Sequence, residues 1–112
     1  MAAVTLSKRG DGIVNVVTGS FTGDGAAQTL TIGFVPLQVV VFNETDAIRW
    51  EKMDPMAAAN SIKTAAAATT PASSITTLDT TSAVIINTDG TVTLSAGLAA
   101  AAKAIKFIAR RG

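Results

Sequence analysis

The carboxylates Glu44, Asp46, Glu51 and Asp54 are the residues best placed in sequence for acid–base chemistry, because they fall within one short stretch. Two carboxylates at a fixed separation can hydrolyse a glycosidic bond. No substrate-binding aromatics accompany these four, and the chain has a single Trp and no Tyr. Asn43 and Asp46 are ordinary turn formers, so the stretch reads as a turn followed by a solvated strand face. Ser and Thr are plentiful, yet the only bases that could activate them are carboxylates or lysines. Lys103 and Lys106 are the nearest candidates, and they read as side chains laid along an outer strand face. Gly23-Asp24-Gly25 lacks the Gly-Lys-Ser/Thr that completes a phosphate-cradling loop, and is a turn. The chain has no His and no Cys. A Ser–His triad, a Cys–His pair, a zinc site and a haem ligand set therefore have no residues to be made from. Elimination points to a structural or interaction protein, with no enzymatic activity and no cofactor or metal.

Size and charge narrow the partners. At 112 residues the chain is long enough for one domain. Hydrophobic residues make up 48% but aromatics only 4%, so the apolar content is small, with 21 Ala beside 16 Thr. Charged residues are 15%, against about 25% in ordinary soluble domains, which implies that much of the surface is covered in use. A net charge of +1 is no electrostatic footprint for nucleic acid. Binding is expected to rest on apolar and backbone contacts with weak salt dependence. No apolar run approaches the roughly 20 residues of a membrane span. Met1–Val4, followed by Lys8-Arg9, lacks the order of a signal peptide. No small-molecule substrate, nucleic acid or membrane is expected as a partner.

The elements that would position these residues are short strands between turns. Residues 1–12 show little periodicity and read as an extended N-terminal arm or a first edge strand, with Gly10-Asp11-Gly12 as a hinge. The arm is expected to order only on a partner. The β-domain then spans 13–112. Ile13–Thr18 is a strand stopped by Gly19-Ser20, and Gln28–Ile32 alternates polar and apolar residues. Gln38–Asn43 is apolar on both faces, which predicts a central strand covered on both sides. Asn43–Asp46 turns it into a return strand over 47–52, with Ile48 and Trp50 on one face. This 38–52 hairpin is expected to supply core through Val39, Val41, Ile48 and Trp50. Residues 53–74 read as a long loop with one helical turn at 56–60, because the Ala runs are too short and interrupted to nucleate a helix. Strands resume at 74–78 and 82–87. Thr88-Asp89-Gly90 signals a hairpin into Thr91–Leu94. The Ala-rich tail has good helix propensity, yet Ile105, Phe107 and Ala109 alternate with Lys106 and Ile108, which favours a turn over 97–102 and a closing strand over 103–109. The sum is an all-β chain of about seven or eight short strands, a β-sandwich or jelly-roll-like barrel.

Thr31-Ile32-Gly33-Phe34-Val35-Pro36 leads into Leu37–Asp46, and Ile48-Arg49-Trp50-Glu51-Lys52 follows. This unit resembles the small decoration (cement) proteins of tailed bacteriophage capsids, which carry a Gly-Phe-x-Pro element, a Val-rich strand ending in Asn-x-Thr-Asp and a Trp-Glu return strand. Asp89–Gly97 and the closing Ile105–Ala109 extend the resemblance through most of 28–109. It implies a virion protein on the outer surface of the head, made in the bacterial host cytoplasm. It further implies a homotrimer bound to the major capsid protein that locks neighbouring capsid subunits together; a small tail or receptor-binding component is the alternative. No catalytic residue is implied. Phe34, Val39, Val41, Trp50 and Phe107 are the core or interface candidates. Lys8, Arg9, Arg110 and Arg111 are the candidates for capsid contact.

Overall fold

In the computed structural model, which describes residues 4–9, 14–66 and 74–111, the alternating segments form ten strands in two antiparallel sheets. In chain order they are β1 (Thr5–Arg9), β2 (Val16–Thr22), β3 (Gln28–Thr31), β4 (Gln38–Asn43), β5 (Ile48–Met53), β6 (Ser61–Ala66), β7 (Ser74–Asp79), β8 (Val84–Ile86), β9 (Thr91–Leu94) and β10 (Ala104–Arg110). The larger sheet has seven strands in the order β1-β2-β10-β4-β5-β6-β7, and the smaller has three in the order β3-β9-β8. The fold is an all-β sandwich. The described residues contain no helix, so the tail takes the strand its alternation predicts rather than the helix its Ala content favours.

The core lies between the sheets because period-2 alternation gives each one an apolar inner face. Val17, Phe21, Val39, Val41, Trp50, Ile105, Phe107 and Ala109 come from the larger sheet, and Leu30, Val84, Val92 and Leu94 from the smaller. Ile48 is half-buried against this cluster. The 38–52 hairpin therefore supplies core through the four residues expected of it. Burying a large apolar side chain contributes about 1.5–3 kcal/mol, so Val39, Val41 and Trp50 make this hairpin a principal source of cohesion.

Several expectations are corrected. The strand predicted to stop at Gly19 runs on to Thr22. Gly19 and Phe107 are direct cross-strand partners, and a Cβ on Gly19 would sit 2.5 Å from the Phe107 ring. The glycine leaves the space the ring occupies, and strand pairing on both sides outweighs its low propensity. The predicted 53–74 loop contains β6, which pairs with β5 and β7. Its Ile62-Lys63-Thr64 core was too short for periodicity to identify without those neighbours. At 56–60 there is no helical turn but two tight turns, in which Met56 N–H donates to Met53 O (2.9 Å) and Asn60 N–H to Ala57 O (2.9 Å). The remainder of the Ala-rich segment, 67–73, lies outside the described residues. So do Ile13, the proposed start of the second strand, and the Gly10–Gly12 hinge.

Strand β4 is covered on one face only. Val39 and Val41 are buried, whereas Val40 is half-buried and Phe42 is exposed. Nor is the N-terminal stretch an arm that needs a partner to order. Thr5–Arg9 pairs antiparallel with Val16–Ser20 as an edge strand, the second of the two readings. Five backbone pairs offset the ordering entropy that the lack of side-chain periodicity concealed.

Candidate interaction surface

The Asn43-Glu44-Thr45-Asp46 segment closes one end of the sandwich, and its side chains explain its composition. Asn43 is buried; its Oδ1 accepts from Asp46 N–H (3.0 Å) and its Nδ2 donates to Asp46 Oδ2 (3.1 Å). Thr45 Oγ1 accepts from Ala104 N–H (2.9 Å), and Lys103 Nζ pairs with Asp46 Oδ1 (3.2 Å). The β4–β5 turn is thereby tied to the start of β10. Ala99 and Ala100 pack beside Gly23, whose added Cβ would lie 2.1 Å from Ala100 O. Gly23 N–H donates to Lys103 O (2.9 Å) and Gly25 N–H to Ala99 O (3.0 Å). The close approach of the 99–100 backbone thus requires glycine at position 23, whereas Ala101 and Ala102 are exposed.

The four carboxylates singled out in sequence are dispersed. Asp46 belongs to the turn. Glu51 Oε2, on the outer face of the larger sheet, accepts from Arg49 Nη2 (3.2 Å) and Gln38 Nε2 (3.4 Å). Asp54 lies in the following turn. Among the described residues no group of three potential metal ligands converges.

Two buried polar features escaped the sequence reading. Lys52 is 2% exposed, and its Nζ donates to the carbonyl oxygens of Ala57 (2.5 Å), Ala58 (3.0 Å) and Asn60 (2.6 Å). Burial pushes its ammonium below the usual lysine range. The contacts hold the turns after β5 against the sheet. Only an alternation count that placed Lys52 on the Trp50 face would have marked it. Trp50, the sole Trp, is a core residue with a polar handle. Its Nε1 donates to Asp79 Oδ2 (3.0 Å), and Lys63 Nζ sits 5.6 Å from the ring centroid. Burial raises the Asp79 carboxyl, but hydrogen bonds from the Thr81 hydroxyl and amide and from Trp50, with the Lys63 charge, leave it below the usual range.

The remaining candidates form a pattern. Phe34, Val39, Val41, Trp50 and Phe107 are all buried core. Gly33 takes φ +94°, which turns the chain so that Phe34 enters the core. Arg111 lies 4.4 Å from the Phe34 ring centroid, and its Nε donates to Val14 O (3.0 Å). Arg9 and Arg110 both pair with Val16, so they share one rung of the larger sheet. Lys8 precedes that rung and Arg111 follows it. The four cations, drawn from the two extremes of the sequence, gather at one end of the larger sheet. Asp24, Glu44 and Asp46 lie in the loops of the other end, with Lys103. The cations cluster where β1 and β10 finish, while Asp54 and Asp79 lie toward the β5–β7 side of that same end and the Asp89 turn lies beside Gly33. Between the ends, the outer face of the larger sheet is uncovered, with Val40, Phe42 and Ile108 lining a shallow depression beside Lys106. No protein-family model, no curated protein and no solved structure matches the chain.

Proposed function

We propose that the chain is a virion structural protein that binds the outer surface of a tailed-phage head as a homotrimer and stabilises the capsid lattice. The observation that supports this best is the basic end, where Lys8, Arg9, Arg110 and Arg111 are collected from the two extremes of the sequence. Arg111 is held on Phe34 and Val14, so part of that end is set in place before any partner arrives. The Gly33-Phe34-Val35-Pro36 element and the Asn43–Asp46 turn, which carry the resemblance to cement proteins, each have a positioning role here: one seats Phe34 under Arg111, the other ties the β4–β5 turn to β10. The mechanism is added interface. A protein that binds only the intact lattice stabilises it by about 2.7 kcal/mol per site at a hundredfold excess over Kd. Repeated over the many sites of a shell, this resists internal pressure.

The test is reconstitution on purified heads that lack the protein. Heads are expected to take up copies in the hundreds and to melt at a higher temperature when decorated. Equal melting with and without the protein refutes the cement reading. A handful of copies confined to the tail assigns the protein to the tail instead.

A further inference from the structure

Among the described residues the larger sheet ends in two strands paired on one side only, and they are not alike. Edge strands are usually guarded by Lys, Pro or bulges against pairing with other chains. Strand β1 carries the exposed Lys8 near its end, which repels a second β1. Strand β7 has no such guard. Ser74 to Leu78 carries no charge and is exposed along its whole length, with Ile75 50% and Leu78 59% exposed. The uncharged stretch begins at Thr64, on the neighbouring strand.

Topology decides how two such edges can meet. Every neighbouring pair in the larger sheet is antiparallel, so the six reversals from β1 to β7 leave those two strands running in the same direction. They are also level. Leu6, Gly19, Phe107, Val41, Trp50, Lys63 and Thr77 form one continuous rung across the sheet. Lys8 stands two residues beyond Leu6, and Asp79 two residues beyond Thr77, on the same inner face. A second copy whose β1 continues the sheet without slipping therefore sets its Lys8 beside Asp79, the one charge in β7.

We propose that β7 of one copy pairs in parallel with β1 of the next, joining copies of this chain head to tail. This rests on the homotrimer of the reading above and names its contact. A strand pair of this length covers far less than the about 1,600 Å² of a standard interface. A closed ring supplies each copy with two such contacts and leaves no edge free. Two β7 strands paired with each other would leave both β1 edges open and bring Asp79 no cation beyond the Lys63 of its own chain. The ring axis runs along the strands, so every basic end faces the same side. Lys8 then belongs to the neighbouring copy, and Arg110 remains with the head-binding end.

Light scattering and chemical cross-linking of the free protein test the contact apart from head binding. The wild type is expected to be trimeric, and Ile75→Lys monomeric with an unchanged circular dichroism spectrum. Lys8→Glu is expected to weaken association about fivefold per contact, whereas Lys8→Arg preserves it. Thr5 and Thr76 are exposed and occupy the same outer rung. The chain has no cysteine of its own, so a short bis-maleimide is expected to join T5C/T76C protein into a ladder ending at the trimer. Each single-cysteine variant should give no ladder. Monomeric wild type at its highest soluble concentration overturns the proposal, as do cross-linked dimers of Thr76→Cys alone, which place β7 against β7. Association without uptake by heads leaves the contact standing and removes the cement reading.

Discussion

Gly19→Ala tests how the sandwich is packed, because it adds one methyl group where two neighbours leave none. Its Cβ would lie 2.4 Å from Thr5 O and 2.5 Å from Phe107 Cζ. Carbon contacts are comfortable at about 3.5–4.0 Å, so the ring or the β1 backbone must retreat by about 1 Å. Phe107 is 4% exposed and enclosed by the core, and β1 is held at this level by its pairing with β2. Overpacking of this kind costs about 1–3 kcal/mol, and squeezing on two sides argues for the upper half of that range. The entropy regained by replacing a strand glycine offsets about 0.5–1 kcal/mol. A net loss of about 2 kcal/mol follows, a fall in Tm of about 8 °C for a domain of this size. Trp50 is the only Trp, so its fluorescence during urea or thermal unfolding reads the loss directly. Phe107→Leu in the same chain should relieve the clash and give a coupling of at least about 1 kcal/mol in a double-mutant cycle. A fall in Tm below about 2 °C, or strict additivity with Phe107→Leu, refutes the packing argument.

Lys52→Met leaves three carbonyl oxygens without their donor and should cost about 2–3 kcal/mol by denaturant titration; a change under about 0.5 kcal/mol would show that water replaces the ammonium freely. Asp79 and Asp89 both sit below the usual carboxylate range, Asp89 through bonds from the Thr91 hydroxyl and amide. A carboxylate depressed by folding contributes stability that is present above its unfolded pKa of about 3.9 and is lost as pH falls through the lower folded value. The Tm is therefore expected to fall on acidification below that point, with a shallower acid limb in Asp79→Asn and Asp89→Asn; identical limbs would exclude these two groups. Arg110→Glu should leave the Tm of the free protein within about 2 °C of wild type, as expected for an exposed side chain, and reduce occupancy on heads. Full occupancy would remove the basic end from the binding mechanism.

The local rules were sufficient where a strand carries its own alternation and its own turn. Ile48 and Trp50 against Arg49 and Glu51, and Thr88-Asp89-Gly90 between 84–86 and 91–94, each set face and register over a few residues, whereas the all-apolar Val39–Phe42 did not show which face is covered. The hydrophobic effect and turn geometry act at that range. Alternation also settled the tail, where Ile105, Phe107 and Ala109 bury one face of β10 despite the helix propensity of the alanines before it. What the order of residues did not disclose depends on partners distant in the chain. Gly19 stays within β2 because Phe107 fills the space above it. Ser61–Ala66 is a strand because β5 and β7 flank it. Thr5–Arg9 is an edge strand because β2 offers hydrogen bonds that need no apolar face. Lys52 is buried because three carbonyls from the following turns meet its ammonium. The basic end exists only because Val16 stands between Arg9 and Arg110. Apart from Lys52, whose carbonyl partners lie five to eight residues on, each of these is a pairing between strands, and its energy enters once loop closure has brought the strands together, a step that local propensity does not encode.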